Sequence, residues 1–118
     1  MTAIMTKRIY DAPAASDGAR VLVDRLWPRG VRRDAADLTG WFRDIAPSNA
    51  LRAVFHHKPE LWDAFCERYA QELDAHPEAL KPLEDLIAKG PVTLLYAARE
   101  TTYNNAVALK AYLEKRLG

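Results

Sequence analysis

Two short stretches restrict the fold of this chain more than anything else in it. Val21-Leu22-Val23 and Val92-Thr93-Leu94-Leu95-Tyr96 are almost continuously apolar, whereas a strand with one wet face would alternate. Uninterrupted runs of this kind suit strands covered on both faces, as in a parallel sheet. The interval between them reads as mostly helical. A helical excursion between two buried strands is the pattern of a parallel crossover. A third, shorter strand is predicted at Lys7–Tyr10.

The helical readings follow from spacing. Leu38, Trp41, Phe42 and Ile45 fall at i, i+3, i+4 and i+7, with Asp37 as a cap and Ala46-Pro47 as the stop. Ser48 caps a short second helix carrying Leu51, Val54 and Phe55. Pro59 opens a third, whose stripe is Trp62, Phe65, Cys66, Tyr69 and Leu73. Leu83, Leu86 and Ile87 mark a fourth that closes at Lys89-Gly90, with Pro82 near its start. The last runs from about Asn104 to Arg116, with Ala106, Leu109, Leu113 and Leu117 facing inward. The expected fold is α/β: a small, mainly parallel sheet of three or four strands packed by about five helices, one domain spanning residues 1–118.

Composition excludes several classes. The chain is 49% hydrophobic with a net charge of +1, which does not fit disorder. A single cysteine rules out an internal disulfide and a cysteine-based zinc cluster. No apolar run approaches the ~18 residues of a membrane span, and the N-terminus lacks the apolar core of a signal peptide. A cytoplasmic protein with no membrane partner, no metal and no cofactor is expected; the sequence leaves its oligomeric state open. The charge is uneven: residues 1–58 carry a net +4 and residues 59–118 a net −3. Arg20, Arg25, Arg29, Arg32 and Arg33 cluster in the basic half.

Ligands of parallel sheets bind beyond the carboxyl ends of the strands. Two segments leave strands there. Asp24-Arg25-Leu26-Trp27-Pro28-Arg29-Gly30 follows the first apolar run; Ala97 to Asn105 follows the second and opens a helix. If the two strands are neighbours, the loops share one rim. Guanidinium groups bind phosphate and carboxylate by forked hydrogen bonds, and the free amides of a helix start favour anions. Arg25, Arg29, Arg99, Asn104 and Asn105 are therefore candidate ligand-binding residues, and Asp24 is the candidate catalytic or orienting group. Trp27 either stacks on a ligand ring or plugs the edge of the core, with Pro28-Arg29-Gly30 as the turn that holds it. Asn104 is equally a plain helix cap, and Arg25 is equally the partner of a carboxylate such as Glu100.

Other chemistry is weakly represented. His56 and His57 are adjacent, which is poor metal-ligand spacing on a helix; they read as cations at a helix C-terminus. Cys66 reads as a small buried hydrophobe. There is no GxSxG, P-loop or dinucleotide-binding glycine pattern.

The string Arg20 to Gly30, RVLVDRLWPRG, followed by Trp41, Pro47-Ser48 with Leu51-Arg52, and Thr93-Leu94-Leu95-Tyr96 with Asn104, closely resembles the YeaO-like proteins, a bacterial and archaeal class known as domain of unknown function 488. The likeness runs from about Lys7 to Leu117. It implies a small cytoplasmic α/β protein and implies no activity. The family pattern has Asn-His where this chain has Asn104-Asn105, and an amide cannot carry protons near neutral pH. More distant relatives carry a cysteine after the last strand and a Cys-His-Arg string before the last helix. This chain has Tyr96-Ala97-Ala98 and Asn104-Asn105-Ala106 there, so thiol chemistry does not transfer.

Two functional classes remain. In the first, the strand-end rim binds a small phosphate- or carboxylate-bearing, nucleotide-like ligand, as an enzyme or a sensor. In the second, the basic half and its aromatic side chains make a non-catalytic module for nucleic acid or a protein partner. A net charge of +1 is low for a dedicated nucleic-acid binder.

Overall fold

The computed structural model describes residues 3–55 and 58–118; His56 and His57, read above as helix-end cations, lie outside them. Four parallel strands form one sheet: β1 (Ile4–Arg8), β2 (Ala19–Leu22), β3 (Gly40–Trp41) and β4 (Val92–Tyr96), in the order β1-β4-β2-β3. Four α-helices accompany it: α1 (Asn49–Phe55), α2 (Trp62–Asp74), α3 (Pro77–Lys89) and α4 (Asn105–Leu117). The α/β class and the parallel sheet match the sequence reading. Among the described residues there are four α-helices and three short 3-10 turns, against about five helices expected.

The two central strands are the two apolar runs. β4 is buried along its whole length, and Val21 and Leu22 of β2 are fully buried. Their side chains alternate between two cores. Val21, Val92, Leu94 and Tyr96 join the larger core with the helices, while Leu22 and Leu95 point to the opposite face. That opposite face is covered mainly by irregular chain: Trp27, Val31 and Leu38 pack on it, with Trp41 from β3. A fully buried leucine truncated to alanine here costs about 2–5 kcal/mol.

The missing helix is the one read at 38–45. Its apolar residues do recur at helical spacing, but Gly40 and Trp41 pair with Val21 and Leu22 as an edge strand, and Arg43–Ile45 form a single 3-10 turn. Leu38 and Trp41 then pack on one face of the sheet, while Phe42 and Ile45 reach the larger core. One periodicity served two cores. Asp37, expected as a cap, instead sits at φ 52°, in the left-handed region. Three smaller differences have simple causes. β1 ends at Arg8, because Ile9 and Tyr10 turn away. Pro82 lies inside α3, where it faces solvent, and Pro77 is the residue that starts the helix. Leu117 and Val54 are exposed.

At the N-terminal ends of β2 and β4 a buried ion pair fixes the frame. The Arg20 guanidinium donates to Asp17 Oδ2 at 2.6 Å and to the carbonyls of Ala36 and Asp37. Lys7 reaches the same carboxylate at 3.2 Å, and Thr93 donates its hydroxyl to the Asp17 carbonyl. Gly18, at φ 65°, passes so close to the Pro91 carbonyl that a Cβ would overlap it. Burial works to raise the Asp17 pKa, but the Ala14 amide, Arg20 and Lys7 outweigh it and hold the carboxyl below its ordinary value of 3.8.

A depressed folded-state pKa contributes stability above the unfolded value, and that contribution disappears as pH falls through the folded value. Wild-type protein is thus expected to lose urea stability between pH 5 and acid more steeply than Asp17→Asn. At pH 7 that variant, which leaves Arg20 without its counter-charge, unfolds about 3 kcal/mol more easily. Urea midpoints at a series of pH values check both.

Candidate functional site

β2 and β4 are neighbours in register, with Leu22 opposite Leu95, so the segments that leave them meet. Asp24 joins them. Its Oδ2 accepts from the Ala97 amide at 2.9 Å and its Oδ1 from Asn105 Nδ2 at 3.0 Å. Its carbonyl accepts from the Trp41 indole at 2.7 Å. Asn105 Nδ2 also donates to the Val23 carbonyl at 3.1 Å. Hydrogen bonds to an ionised group are worth more than neutral ones, about 1.5–3 kcal/mol each.

The loop after β2 is held at three more points. Pro28-Arg29-Gly30-Val31 is a turn closed by the Val31 amide on the Pro28 carbonyl, and Gly30 takes the positive φ of 79° that its third position requires. Trp27 Nε1 donates to the Val31 carbonyl at 2.8 Å, and the Tyr10 hydroxyl donates to the Arg29 carbonyl at 2.8 Å. Trp27 stands edge-on to Trp41 with ring centres 5.3 Å apart, and Arg33 lies 4.5 Å over its ring. Trp27 is a plug in the second core that also borders the cleft described next. The segment after β4 is pinned by Arg8, which donates to the carbonyls of Ala97 and Ala98.

Between these loops and α1 lies an open cleft of about 710 Å³. Asp24, Arg25, Trp27, Arg29 and Asn105, five of the candidates from sequence, line it together. Arg52 and Asn49 join from α1, and the stacked rings of Phe55 and Phe65, 4.3 Å apart, contribute apolar wall. Arg25 donates to the Ala46 carbonyl at 3.0 Å rather than to Glu100. Among the described residues, none of Arg25, Arg29 and Arg52 forms an ion pair. Among the described residues the lining holds three guanidinium groups and one carboxylate.

Arg99 and Asn104 do not line the cleft. Arg99 is exposed. Asn104 is fully buried and caps α4: its Oδ1 accepts from the Val107 amide at 3.0 Å, and its Nδ2 donates to the Glu100 carbonyl at 2.8 Å. The Glu100 carboxylate accepts from the amides of Thr102 and Tyr103. One amide of the helix opening is thus taken by the Asn104 side chain, and the Glu100 carboxylate occupies the amides of the segment just before it. Arg52 was not among the candidates. It stands four residues beyond Ser48, whose hydroxyl accepts from the Leu51 amide, and that single helical turn is the signal that would have placed it.

Neighbouring groups are inert. Tyr69 is fully buried and donates its hydroxyl to the Ile45 carbonyl at 2.5 Å; burial, with Glu72 and Asp24 nearby, pushes its pKa far up. Burial, with help from Asp63, also raises the Cys66 thiol, in line with its reading as a packing residue. Among the described residues no group of three or more His, Cys, Asp or Glu side chains is placed to hold a metal ion, and no helix is long and apolar enough to cross a membrane.

Comparison with known proteins gives a consistent neighbourhood. Residues 3–118 match a family model described as the inactive DUF488-N3 subclade. The chain is 44% identical over 110 residues to the uncharacterized protein YeaO of Escherichia coli, covering 93% of this chain and 96% of that one. It is 39% identical over 115 residues to an uncharacterized protein of Mycobacterium tuberculosis, covering 98% and 97%. No solved structure matches.

Substitutions separate the cap from the surface. Asn104→Ala removes a helix cap and a buried amide and is expected to cost about 1–2 kcal/mol. Asp24→Asn sets an amide donor against Ala97 N–H or Asn105 Nδ2 and costs about 2 kcal/mol. Arg99→Ala stays within about 0.5 kcal/mol of wild type. Denaturant unfolding of the three variants reads these differences directly.

Proposed function

The chain belongs to the YeaO-like DUF488 family, and from that membership and the chemistry of the cleft we propose that it is a non-catalytic receptor for a small phosphate- or carboxylate-bearing ligand, nucleotide-like in size. The observation that carries this reading is the convergence of Arg25, Arg29 and Arg52, from the loop after β2 and from α1, on one cleft in which none has a carboxylate partner among the described residues. Guanidinium groups without counter-charges, beside low-dielectric walls, favour an anion. A volume of about 710 Å³ lies within the range of small-molecule sites.

The binding role is favoured over catalysis by what the lining lacks. Among the described residues it holds no serine, threonine, cysteine or lysine, and besides the arginines its ionisable groups are Asp24 and Tyr10. Asp24 has an amide and an asparagine on its carboxylate; it acts here as an orienting group. The subclade's description as inactive points the same way. A second reading, contact with nucleic acid, draws on Arg33 and Arg43, which lie over Trp27 and Trp41 and form no ion pair among the described residues. The concave cleft favours the small ligand.

A ligand at a hundredfold excess over its Kd adds about 2.7 kcal/mol of stability. Pyrophosphate, at constant ionic strength, is expected to raise Tm by several degrees. The double variant Arg29→Ala/Arg52→Ala, whose side chains are solvent-exposed, should fold normally and bind at least about tenfold more weakly. An equal shift in both proteins, or a shift produced only by an oligonucleotide at low salt, refutes the proposal.

A further inference from the structure

The floor of the cleft is chemically one-sided. Asn105 Nδ2 gives its two hydrogens to the Val23 carbonyl and to Asp24 Oδ1, and neither of those groups can donate in return. A flipped amide would set its oxygen against both, so the orientation is fixed. Asn105 Oδ1 accepts from no described group, and no buried side-chain polar atom of the described residues lacks a partner, so this oxygen is open to solvent. The Asp24 carboxylate beside it is likewise an acceptor. Apolar groups line the same cleft: Leu26 is 66% exposed, and Ala53, Ala97 and Ala98 lie beside the edges of the stacked, largely buried Phe55 and Phe65. The cationic groups come from the two flanking segments.

We infer that the ligand carries an N–H donor group, set apart from its negative charge by an apolar or ring-shaped body, and that Asn105 is the residue that selects for that donor. This rests on the anion-binding reading above and extends it. A bare oxyanion would satisfy the arginines and leave most of the cleft to water. A ligand with a body but no donor would cover Asn105 Oδ1 and strip it of solvent without replacing the hydrogen bond. Sites built to hydrogen-bond a substrate group reject analogues that lack it far more strongly than apolar pockets reject a missing methylene. A nucleotide whose base bears an amino group has this chemistry: phosphate at one end, an N–H donor at the other and a ring between them.

Titration calorimetry on the intact protein compares adenosine 5′-monophosphate with purine riboside 5′-monophosphate, a pair that differs only in the amino donor. The amino-bearing member is expected to bind at least about tenfold more tightly. In Asn105→Ala, confirmed as folded by circular dichroism, the preference drops to about unity. Equal binding of the two within about twofold on the wild-type protein overturns the inference whether or not the variant folds. If pyrophosphate still binds in that case, the anion site stands and only the donor requirement falls. If pyrophosphate also fails to bind, both fall together.

Discussion

The carboxylate of Asp24 holds together three pieces of chain that leave the sheet at one edge. It takes the Ala97 amide at the end of β4 and the Asn105 side chain at the start of α4, and it is itself the second residue beyond β2. Its backbone carbonyl adds the Trp41 indole from β3. Parallel strands deliver their ends to one edge but do not fix how the following loops lie. Here one ionised group does so, through hydrogen bonds stronger than neutral ones. The cleft exists because those loops are held apart from α1 in a set geometry.

The sheet's second face explains why the loop after β2 is so rigid. It is not covered by a helix. Trp27, Val31, Leu38 and Trp41 pack on Leu22 and Leu95 instead, and every indole or hydroxyl that anchors this cover donates to a backbone carbonyl. A segment without regular structure must find partners for its own polar groups, and these side chains supply several. Trp27 of this cover also lines the cleft. At the other end of the strands, the buried Asp17–Arg20 pair fixes where β2 begins.

The two central strands were legible because β2 and β4 are buried on both faces and cannot alternate. The joint position of the loops followed from that, once the two strands proved adjacent. The helix at 38–45 was misread for a physical reason: Leu38 and Trp41 serve one core and Phe42 and Ile45 the other, and spacing alone cannot tell two cores from one helix face. The start of α4 was misjudged differently. Its amides were read as open to an anion, but Asn104 caps one of them and Glu100 holds the amides of Thr102 and Tyr103 just before the helix. Local carboxylates and caps compete with ligands for such groups. Arg52, although part of the family string, was not counted as a site residue: its spacing from the Ser48 cap puts it on α1 but does not say where α1 packs.

Among the described residues the cleft holds more positive than negative charge. Arg20, Arg32 and Arg116 form ion pairs, while Arg25, Arg29 and Arg52, which line the cleft with Asp24, form none among the described residues. The most direct measurement is NMR of the arginine Nε–Hε resonances during addition of adenosine 5′-monophosphate. Signals from Arg25, Arg29 and Arg52 should move together along one saturation curve while those of Arg99 and Arg116 stay in place. Movement spread evenly over all the arginines, or none at the three in the cleft, would contradict the account.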